Sequence, residues 1–402
     1  MFTSRSVPAH AAFRLAAFTL AVLLSACGGG YHDPVPPSQP DHPASIPMYD
    51  VIPLGTPDVW GDITRHSIAN GGIVAGTSWG GPGGTAQAFL YNGKTEVALG
   101  TLGGSFSQVW AMNRCGRVTG WSGRADRLAH AFLYDGVMHD LGTLGGSESS
   151  GEAINSCGKV TGWAVTASGQ SHAFLYDGAT MRDLGSLGGA SYGLAINNVG
   201  QVVGQAFGPG NAWFHPFLYD SRTGGPMQDL GTLGESALAV DINDAGQVVG
   251  WNRRPGGAIR GFYYQAGVMR DAGTLGGAYS EFMDINESGL AVGNSELAEG
   301  GQRGFVYDGK TMTSIGSLNG SLFSEAVAVN AGGLVVGSSV TPGPGGEQHA
   351  ISWTAKEGIV DLNQRMAAPP AGLVLVKALA VADDGNIAVR TNRGLALLKL
   401  RR

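Results

Sequence analysis

Residues 149–188 read SSGEAINSCGKVTGWAVTASGQSHAFLYDGATMRDLGSLG, and this stretch decides the fold of the chain. Short apolar runs alternate with Gly, Asn, Asp and Ser, a pattern typical of β-strands joined by tight turns. An Asn-x-x-Gly turn at residues 155–158 joins the first two strands, because Asn and Gly tolerate positive φ angles. The four predicted strands cover residues 152–155, 159–163, 172–177 and 181–187.

The same Asn-x-x-Gly mark recurs along the chain, mostly at intervals of 42 to 46 residues. Complete copies begin at Asn113, Asn155, Asn197, Asn243, Asn286 and Asn330. A shortened copy begins at Asn70 and a degenerate one at Ala382, so the chain holds eight units. Units of about 40–45 residues with four strands each are typical of β-propeller blades. We therefore predict an all-β fold, a β-propeller of four-stranded blades.

The two ends of the repeat array complement each other. The last unit offers only three strands, at residues 373–382, 386–390 and 394–400. Residues 48–55, ahead of the first unit, resemble a fourth strand without a partner. A closed ring uses this strand to complete the last blade and leaves no open sheet edge. The prediction is an eight-bladed propeller, with seven blades as the alternative if the degenerate unit is not a blade.

Composition limits the class of protein. Gly makes up 67 of the 402 residues, which suits many tight turns between short strands. Charged residues are 14% of the chain, the net charge is −6, and Lys and Arg do not cluster. Nucleic-acid binding needs such clusters to neutralise phosphates, so we exclude it. We expect a monomer.

The N-terminus has the organisation of an export signal. Arg5 and Arg14 precede a short apolar run at residues 15–24, which is too short to span a bilayer stably. Leu24-Ser25-Ala26-Cys27 then resembles the bacterial lipobox, in which the Cys is lipidated and becomes the mature N-terminus. The resemblance implies a signal peptide at 1–26 and a membrane anchor at Cys27. Gly28 implies sorting to the outer membrane, with the body facing either the periplasm or the cell surface.

The predicted domains follow from these segments. Residues 27–47 carry the lipidated Cys and a Gly- and Pro-rich tether, whose composition cannot bury a core. Residues 48–402 form the propeller. Within them, Ser-His-Ala-Phe-Leu-Tyr-Asp-Gly and Asp-Leu-Gly-Ser-Leu-Gly-Gly resemble the bacterial HAF repeat of probable extracellular proteins. The resemblance covers residues 48–400 and implies an exported protein, without catalytic residues to transfer.

Most polar residues that could take part in catalysis or metal binding recur once per unit, which favours structural roles. His130, His172, His215 and His349 share one strand position, where we expect a polar strand entry rather than a metal ring. Asp residues recur at the end of the third strand and on the fourth strand, where we expect turn capping and hydrogen bonds between blades. The Asp positions are Asp135, Asp177, Asp220 and Asp308 in the first set and Asp140, Asp183, Asp229 and Asp271 in the second.

The sequence predicts no catalytic residues, metal site or cofactor. The Gly-rich loops lack the Gly-Lys-Ser/Thr of a phosphate loop, and no Gly-x-Ser-x-Gly, His-Glu-x-x-His or Cys-x-x-Cys motif occurs. Cys115 and Cys157 stand one repeat apart, at equivalent places of neighbouring turns. Because the extracytoplasmic compartment is oxidising, we hypothesise a disulfide between them.

Trp residues recur at the end of the second strand, beside the loops that vary most in length. The positions are Trp79, Trp121, Trp163 and Trp251, to which Trp110 and Trp213 add. Packing between blades is the favoured interpretation, and stacking on glycan rings is the alternative. This face is where binding specificity is expected.

The predicted function is a non-enzymatic binding or interaction module of the cell envelope, with a glycan or an envelope protein as ligand. One alternative is a carbohydrate-active hydrolase or lyase, which needs an unrepeated carboxylate pair in the centre of the ring. The other is a passive structural protein of the envelope. The unrepeated carboxylates of the sequence include Asp58, Asp62, Glu281 and Glu325, which nothing in the sequence groups.

Overall fold

The computed structural model describes residues 46–55, 61–80, 84–343 and 345–401. The predicted signal peptide at 1–26, Cys27, most of the tether and Asp58 lie outside these ranges. Within them, the strands form eight antiparallel sheets, which are the eight blades of a β-propeller. We call the strands of each blade A to D from the central channel outward, since the ends of the first strands line the channel.

The blades follow one another in chain order. Blade 1 contains β2 (Gly61–Asp62), β3 (Ile68–Ala69), β4 (Ile73–Ser78), β5 (Gln87–Asn92) and β6 (Glu96–Ala98). Blade 2 contains β7 (Gly103–Met112), β8 (Val118–Arg124), β9 (Ala129–Tyr134) and β10 (Met138–Asp140). Blade 3 contains β11 (Gly145–Ile154), β12 (Val160–Thr166), β13 (Ser171–Tyr176) and β14 (Met181–Asp183). Blade 4 contains β15 (Ser191–Ile196), β16 (Gln201–Phe207), β17 (Phe214–Asp220) and β18 (Gln228–Asp229).

The second half of the ring repeats this plan. Blade 5 contains β19 (Ser236–Ile242), β20 (Val248–Arg253), β21 (Ile259–Gln265) and β22 (Val268–Asp271). Blade 6 contains β23 (Gly276–Ile285), β24 (Ala291–Leu297), β25 (Gln302–Tyr307) and β26 (Met312–Ser314). Blade 7 contains β27 (Ser324–Val329), β28 (Val335–Val340), β29 (Gln348–Thr354) and β30 (Gly358–Asp361). Blade 8 contains β31 (Leu375–Val381), β32 (Ile387–Thr391), β33 (Gly394–Leu400) and the N-terminal β1 (Tyr49–Leu54), and short 3₁₀ turns lie at Pro209–Asn211, Leu318–Gly320 and Leu362–Arg365.

The N-terminal strand closes the ring as the sequence predicts. β1 pairs antiparallel with β33 and supplies the outer strand of blade 8. Leu54 of β1 also packs with Val74 and Phe89 of blade 1, so the closing strand seals the junction between the last and first blades. The eight-bladed prediction is therefore confirmed, and the seven-bladed alternative is wrong because the degenerate unit forms a complete blade.

Hydrophobic clusters between adjacent blades form the core. The Phe of the His-Ala-Phe position is the central side chain in most of them. Phe174 of blade 3, for example, is fully buried against Ala131, Leu133 and Leu141 of blade 2. Burial of one such ring stabilises a fold by about 1.5–3 kcal/mol. Each repeat therefore packs apolar side chains of one blade against an aromatic ring of the next.

A β-bulge on strand A explains the Gly of the second strand. In blade 3 the pairing of β11 with β12 shifts at Glu152. A Cβ atom on Gly162 would lie 1.9 Å from the carbonyl oxygen of Ser150, so no side chain fits there. The same close approach recurs at the equivalent Gly of most other blades. The bulge also redirects the last residues of strand A toward the channel.

The outer strands are shorter than predicted. β14 spans only Met181–Asp183, because the chain turns away from the sheet once the Leu184 amide has donated to the Ala173 carbonyl. The Gly-Gly step that we expected to end each unit instead begins strand A in three blades, as at Gly145 in β11. The part of the chain that the structure describes holds no helix with the length and hydropathy needed to cross a bilayer.

Candidate functional site

In four blades the repeated His pairs with an Asp of the same blade. His130 Nδ1 lies 2.8 Å from Asp140 Oδ1, and His172 makes the same contact with Asp183 at 3.0 Å. The pairs His215–Asp229 and His349–Asp361 repeat it. Each pair joins strand C to strand D, and most of the Asp side chains are a third or more exposed, so one pair contributes only about 0–1 kcal/mol. These side chains belong to the scaffold.

The Asn residues of the turns link the blades around the channel. The Asn155 Nδ2 amide donates to the Asn197 carbonyl at 3.1 Å, and its Oδ1 accepts from the amides of Cys157 and Lys159. Equivalent bonds join successive turns from Asn113 to Ala382. We call these six asparagines the asparagine ring: Asn113, Asn155, Asn197, Asn243, Asn286 and Asn330. In the described Asn-x-x-Gly turns the Gly has a positive φ and the Asn does not. The Asn is therefore needed for the hydrogen bonds of its side chain.

The hypothesised disulfide between Cys115 and Cys157 is not formed. Cys115 is an exposed free thiol. The turn residues that line the channel are the Asn and its successor, such as Asn113 and Arg114, whereas the third position lies away from the axis. The Arg117 side chain reaches Gly158 of the next turn and fills the space between neighbouring turns.

Two of the four tryptophans of the second strand pack between blades. Trp163 of blade 3 meets Tyr192 of blade 4 edge to face, with ring centroids 6.2 Å apart. Trp251 of blade 5 meets Phe214 of blade 4 at 6.0 Å, and Trp121 meets Phe106 within blade 2 at 5.4 Å.

These rings lie on the face of the ring that carries the B–C loops, which we call the loop face. Trp79, in blade 1, is 42% exposed and is the most open of the four. Trp213 stacks beside His215 with centroids 4.3 Å apart. Trp110 lies at the bulge of β7, and its carbonyl accepts a hydrogen bond from Thr64.

The unrepeated polar residues meet in the central channel instead. Two residues before the turn Asn, five blades carry Ala, but blades 5 and 6 carry Asp241 and Asp284. Both Asp side chains are buried, at 6% and 5% exposure. All four carboxyl oxygens accept backbone amides, those of Asp241 from Ile242 and Ile285 and those of Asp284 from Ile285 and Val329. They face a cavity of about 280 Å³ at the end of the channel that carries the Asn turns, which we call the turn face.

Blade 1 sends two side chains across the channel to this pair. Its strand A is split into β2 and β3, so that Arg65 and His66 leave the sheet between them. His66 Nε2 lies 3.8 Å from Asp241 Oδ2, and Arg65 Nη2 donates to the Val240 carbonyl at 3.2 Å. Arg65 Nε also donates to His66 Nε2 at 3.0 Å. The ligand atoms of His66, Asp241 and Asp284 all lie within 4.8 Å of one another.

The channel changes the proton affinities of these groups. Burial, together with the charge of Asp241 and a hydrogen bond to it, raises the pKa of Asp284 well above its usual range, against the opposing effects of Arg65 and the Val329 amide. Burial in the channel lowers the pKa of His66 to about 4. The positive charge of Arg65 also lowers this pKa, and the charge of Asp241 raises it. Although the His66 side chain is 42% open to the channel, its imidazole is neutral at neutral pH and available as an acceptor.

Of the unrepeated carboxylates that the sequence offered, the three that the structure describes each contact a different partner. Asp62 pairs with Arg390 at 3.2 Å, and Glu325 pairs with Lys377 at 2.8 Å. Glu281 interacts with Tyr279, whose pKa it raises in addition to burial. The sequence analysis missed Asp241 and Asp284, although Asp in place of Ala was a visible departure from the repeat. His66 carried no such signal, because the first unit is irregular.

Comparison with known proteins places the chain by fold only. No known family model matches it. No curated protein sequence matches it either. Among solved structures, dipeptidyl peptidase 4 of Porphyromonas gingivalis is 13% identical with a TM-score of 0.51, and the match covers 83% of this chain and 58% of the peptidase. The chain is a β-propeller.

Two further solved structures are similar to the chain at lower TM-scores. A puromycin-hydrolyzing peptidase of Mycobacterium tuberculosis is 11% identical, with a TM-score of 0.49 over 87% of this chain. This chain spans 62% of that peptidase's length. The BP39L lectin of Burkholderia pseudomallei is 11% identical, with a TM-score of 0.41 over 75% of this chain and 97% of the lectin. The function has to be argued from the site.

Proposed function

We propose that this protein is an exported, lipid-anchored binding module of the cell envelope that engages a glycan on its loop face. The anchor is the lipobox at Cys27, and the tether at residues 27–47 spaces the propeller from the membrane. Three acyl chains on one Cys exceed the two that stable anchoring requires. The resemblance of residues 48–400 to the HAF repeat supports export.

A continuous row of aromatic rings carries the proposal for the ligand. The centroids of Trp163, Tyr192, Phe207, Phe214 and Trp251 follow one another at 6.2, 6.2, 5.3 and 6.0 Å across blades 3 to 5. We call these five residues the aromatic row. Each ring is half-buried, so the row keeps an apolar strip open at the loop face.

The setting of the aromatic row suits a sugar chain. Apolar aromatic surface with polar groups beside it is what ligand sites offer. The loop at 208–213 supplies polar atoms, since Asn211 Oδ1 accepts the Ala190 amide next to the row. A sugar ring presents an apolar face and polar edges, and it matches this combination.

The carboxyl pair of the channel does not favour a glycosidase. Glycosidases place two carboxyl groups about 5–5.5 Å apart for retention, or about 6.5–9.5 Å apart for inversion. The ligand oxygens of Asp241 and Asp284 lie within 4.8 Å of each other, which is closer than either of these spacings. The hydrolase alternative therefore lacks the geometry it requires.

Glycan arrays with the full-length protein and matched tryptophan variants test the proposed function. Trp251→Ala removes one end of the aromatic row, and Trp79→Ala removes the same repeat position in blade 1, outside the row. We expect Trp251→Ala to weaken binding to the strongest array ligand by at least about tenfold, as for a central aromatic contact. Trp79→Ala should stay within about twofold of wild type.

Two results would count against the proposal. A silent array, with a single protein partner captured from envelope extracts, would contradict the glycan ligand and favour protein binding. The anchor is tested separately by Cys27→Ala, which should release the protein from the membrane fraction. Retention of that variant in the membrane would contradict lipidation at Cys27.

A further inference from the structure

We propose that the channel binds a divalent transition-metal ion, Mn²⁺ or Zn²⁺, through His66, Asp241 and Asp284. This site is separate from the aromatic row and does not depend on glycan binding. It also departs from the sequence analysis, which predicted no metal site. Three features of the channel support the proposal: the spacing of the donor atoms, the burial of the two carboxyl groups, and the position of Arg65.

The donor atoms have the spacing of ligands around one ion. His66 Nε2 and Asp241 Oδ2 are 3.8 Å apart, and Asp284 offers an oxygen within 4.8 Å of both. Metal bonds to imidazole nitrogen and carboxylate oxygen are about 2.0–2.2 Å long, so two ligands of one ion lie about 3–4 Å apart. One imidazole and two carboxylates suit Mn²⁺ and Zn²⁺, because carboxylates favour Mn²⁺ and imidazole favours Zn²⁺.

The charge of the site calls for a cation between the carboxyl groups. Asp241 and Asp284 are more than nine-tenths buried, and their ligand oxygens lie within 4.8 Å of each other. Two buried carboxylates this close repel each other, and a cation between them offsets the repulsion. Ala occupies the same position in five blades, so closing the ring does not require this costly pair. A ligand role explains why two adjacent blades carry Asp here.

Arg65 controls access to the third ligand. Its Nε donates to His66 Nε2, the atom that would bind the metal, while its Nη2 bonds to the Val240 carbonyl. A metal ion has to displace the first of these hydrogen bonds and approach against the guanidinium charge. Removing Arg65 should therefore tighten metal binding, whereas removing Asp284 should weaken it. The remaining coordination positions would open into the cavity of about 280 Å³, which has room for water or a small ligand.

Calorimetric titration of the EDTA-treated full-length protein with MnCl₂ and ZnCl₂ tests the site. We expect one equivalent of one of these ions to bind. Asp284→Asn should lose at least about tenfold in affinity, while its remaining oxygen can still accept the Val329 amide. Glu287→Gln is the matched control, because it removes a carboxylate that lines the same channel without removing a ligand. It should stay within about threefold of wild type.

Arg65→Gln tests the metal site even if Asp284→Asn does not fold. We expect Arg65→Gln to gain about fivefold in affinity, and a misfolded variant cannot give such a gain. The proposal is overturned if neither ion binds to wild type, if Arg65→Gln binds no more tightly, or if Glu287→Gln loses as much affinity as a folded Asp284→Asn. The first result would mean that a proton alone holds the carboxyl pair together.

Discussion

The asparagine ring predicts a large loss of stability from one buried substitution. Asn155→Ala removes the bond to the Asn197 carbonyl at 3.1 Å and the acceptor of the Cys157 and Lys159 amides at 3.1 and 3.0 Å. Asn155 is 4% exposed, so water cannot readily replace these partners. Three lost hydrogen bonds with partners left buried correspond to about 2–4 kcal/mol of unfolding free energy.

The matched control is Asn92→Ala, in an exposed C–D turn. Asn92 Oδ1 also accepts two backbone amides, from Lys94 and Thr95, at 3.0 and 2.9 Å. Because this side chain is exposed, water replaces it, and the expected cost is below about 1 kcal/mol. The two variants differ mainly in burial and in the bond to the next blade.

Calorimetry and far-UV circular dichroism measure the difference. For a ring of this size, 2–4 kcal/mol corresponds to a fall of roughly 3–5 °C in Tm. Asn92→Ala should fall by no more than about 1 °C. Equal melting temperatures for Asn155→Ala and Asn92→Ala would refute the reasoning, since the bonds between turns would then contribute nothing beyond a local turn.

Three further predictions follow from the fold. Burial raises the pKa of Tyr49 to about 12, so its phenol is neutral in the fold. The folded pKa lies above the unfolded value near 10, so stability is lost as pH rises from about 10 to 12, by up to about 3 kcal/mol. Tyr49→Phe should lose less Tm over this range, and an equal loss would contradict the prediction. Gly162→Ala should cost more than about 3 kcal/mol or prevent folding, because its Cβ meets a backbone carbonyl, whereas Gly225→Ala in open space should lie within about 1 kcal/mol of wild type in denaturant unfolding. Cys115 should react with a maleimide in the native protein without reductant, as peptide mass spectrometry would show, and protection until reductant is added would mean that it is bridged.

Regular repetition made the fold predictable from sequence. The spacing of the Asn turns gave eight units, and the unpartnered strand at residues 48–55 gave the closure that β1 and β33 make. The sequence predicted that the Asn residues form turns, but not that their side chains bond to the next blade. Such a contact exists only once the blades are arranged in a ring.

The channel site was not predictable for the same reason. Asp241 and Asp284 are 43 residues apart in sequence and adjacent in the ring. His66 reaches them from the opposite side, through a strand whose interruption breaks the repeat. The Cys115–Cys157 hypothesis failed because Cys115 is a free thiol in the folded protein, which the equal repeat positions of the two residues did not reveal.

We propose that the propeller binds its ligand on the loop face of blades 3 to 5. Hydrogen–deuterium exchange of the full-length protein, with and without the strongest array glycan, tests it most directly. We predict that the glycan slows exchange in the loops at 167–170, 208–213 and 254–258, beside the aromatic row, and leaves the Asn turns unchanged. Slower exchange at the Asn turns, or no change at these three loops, would contradict the account.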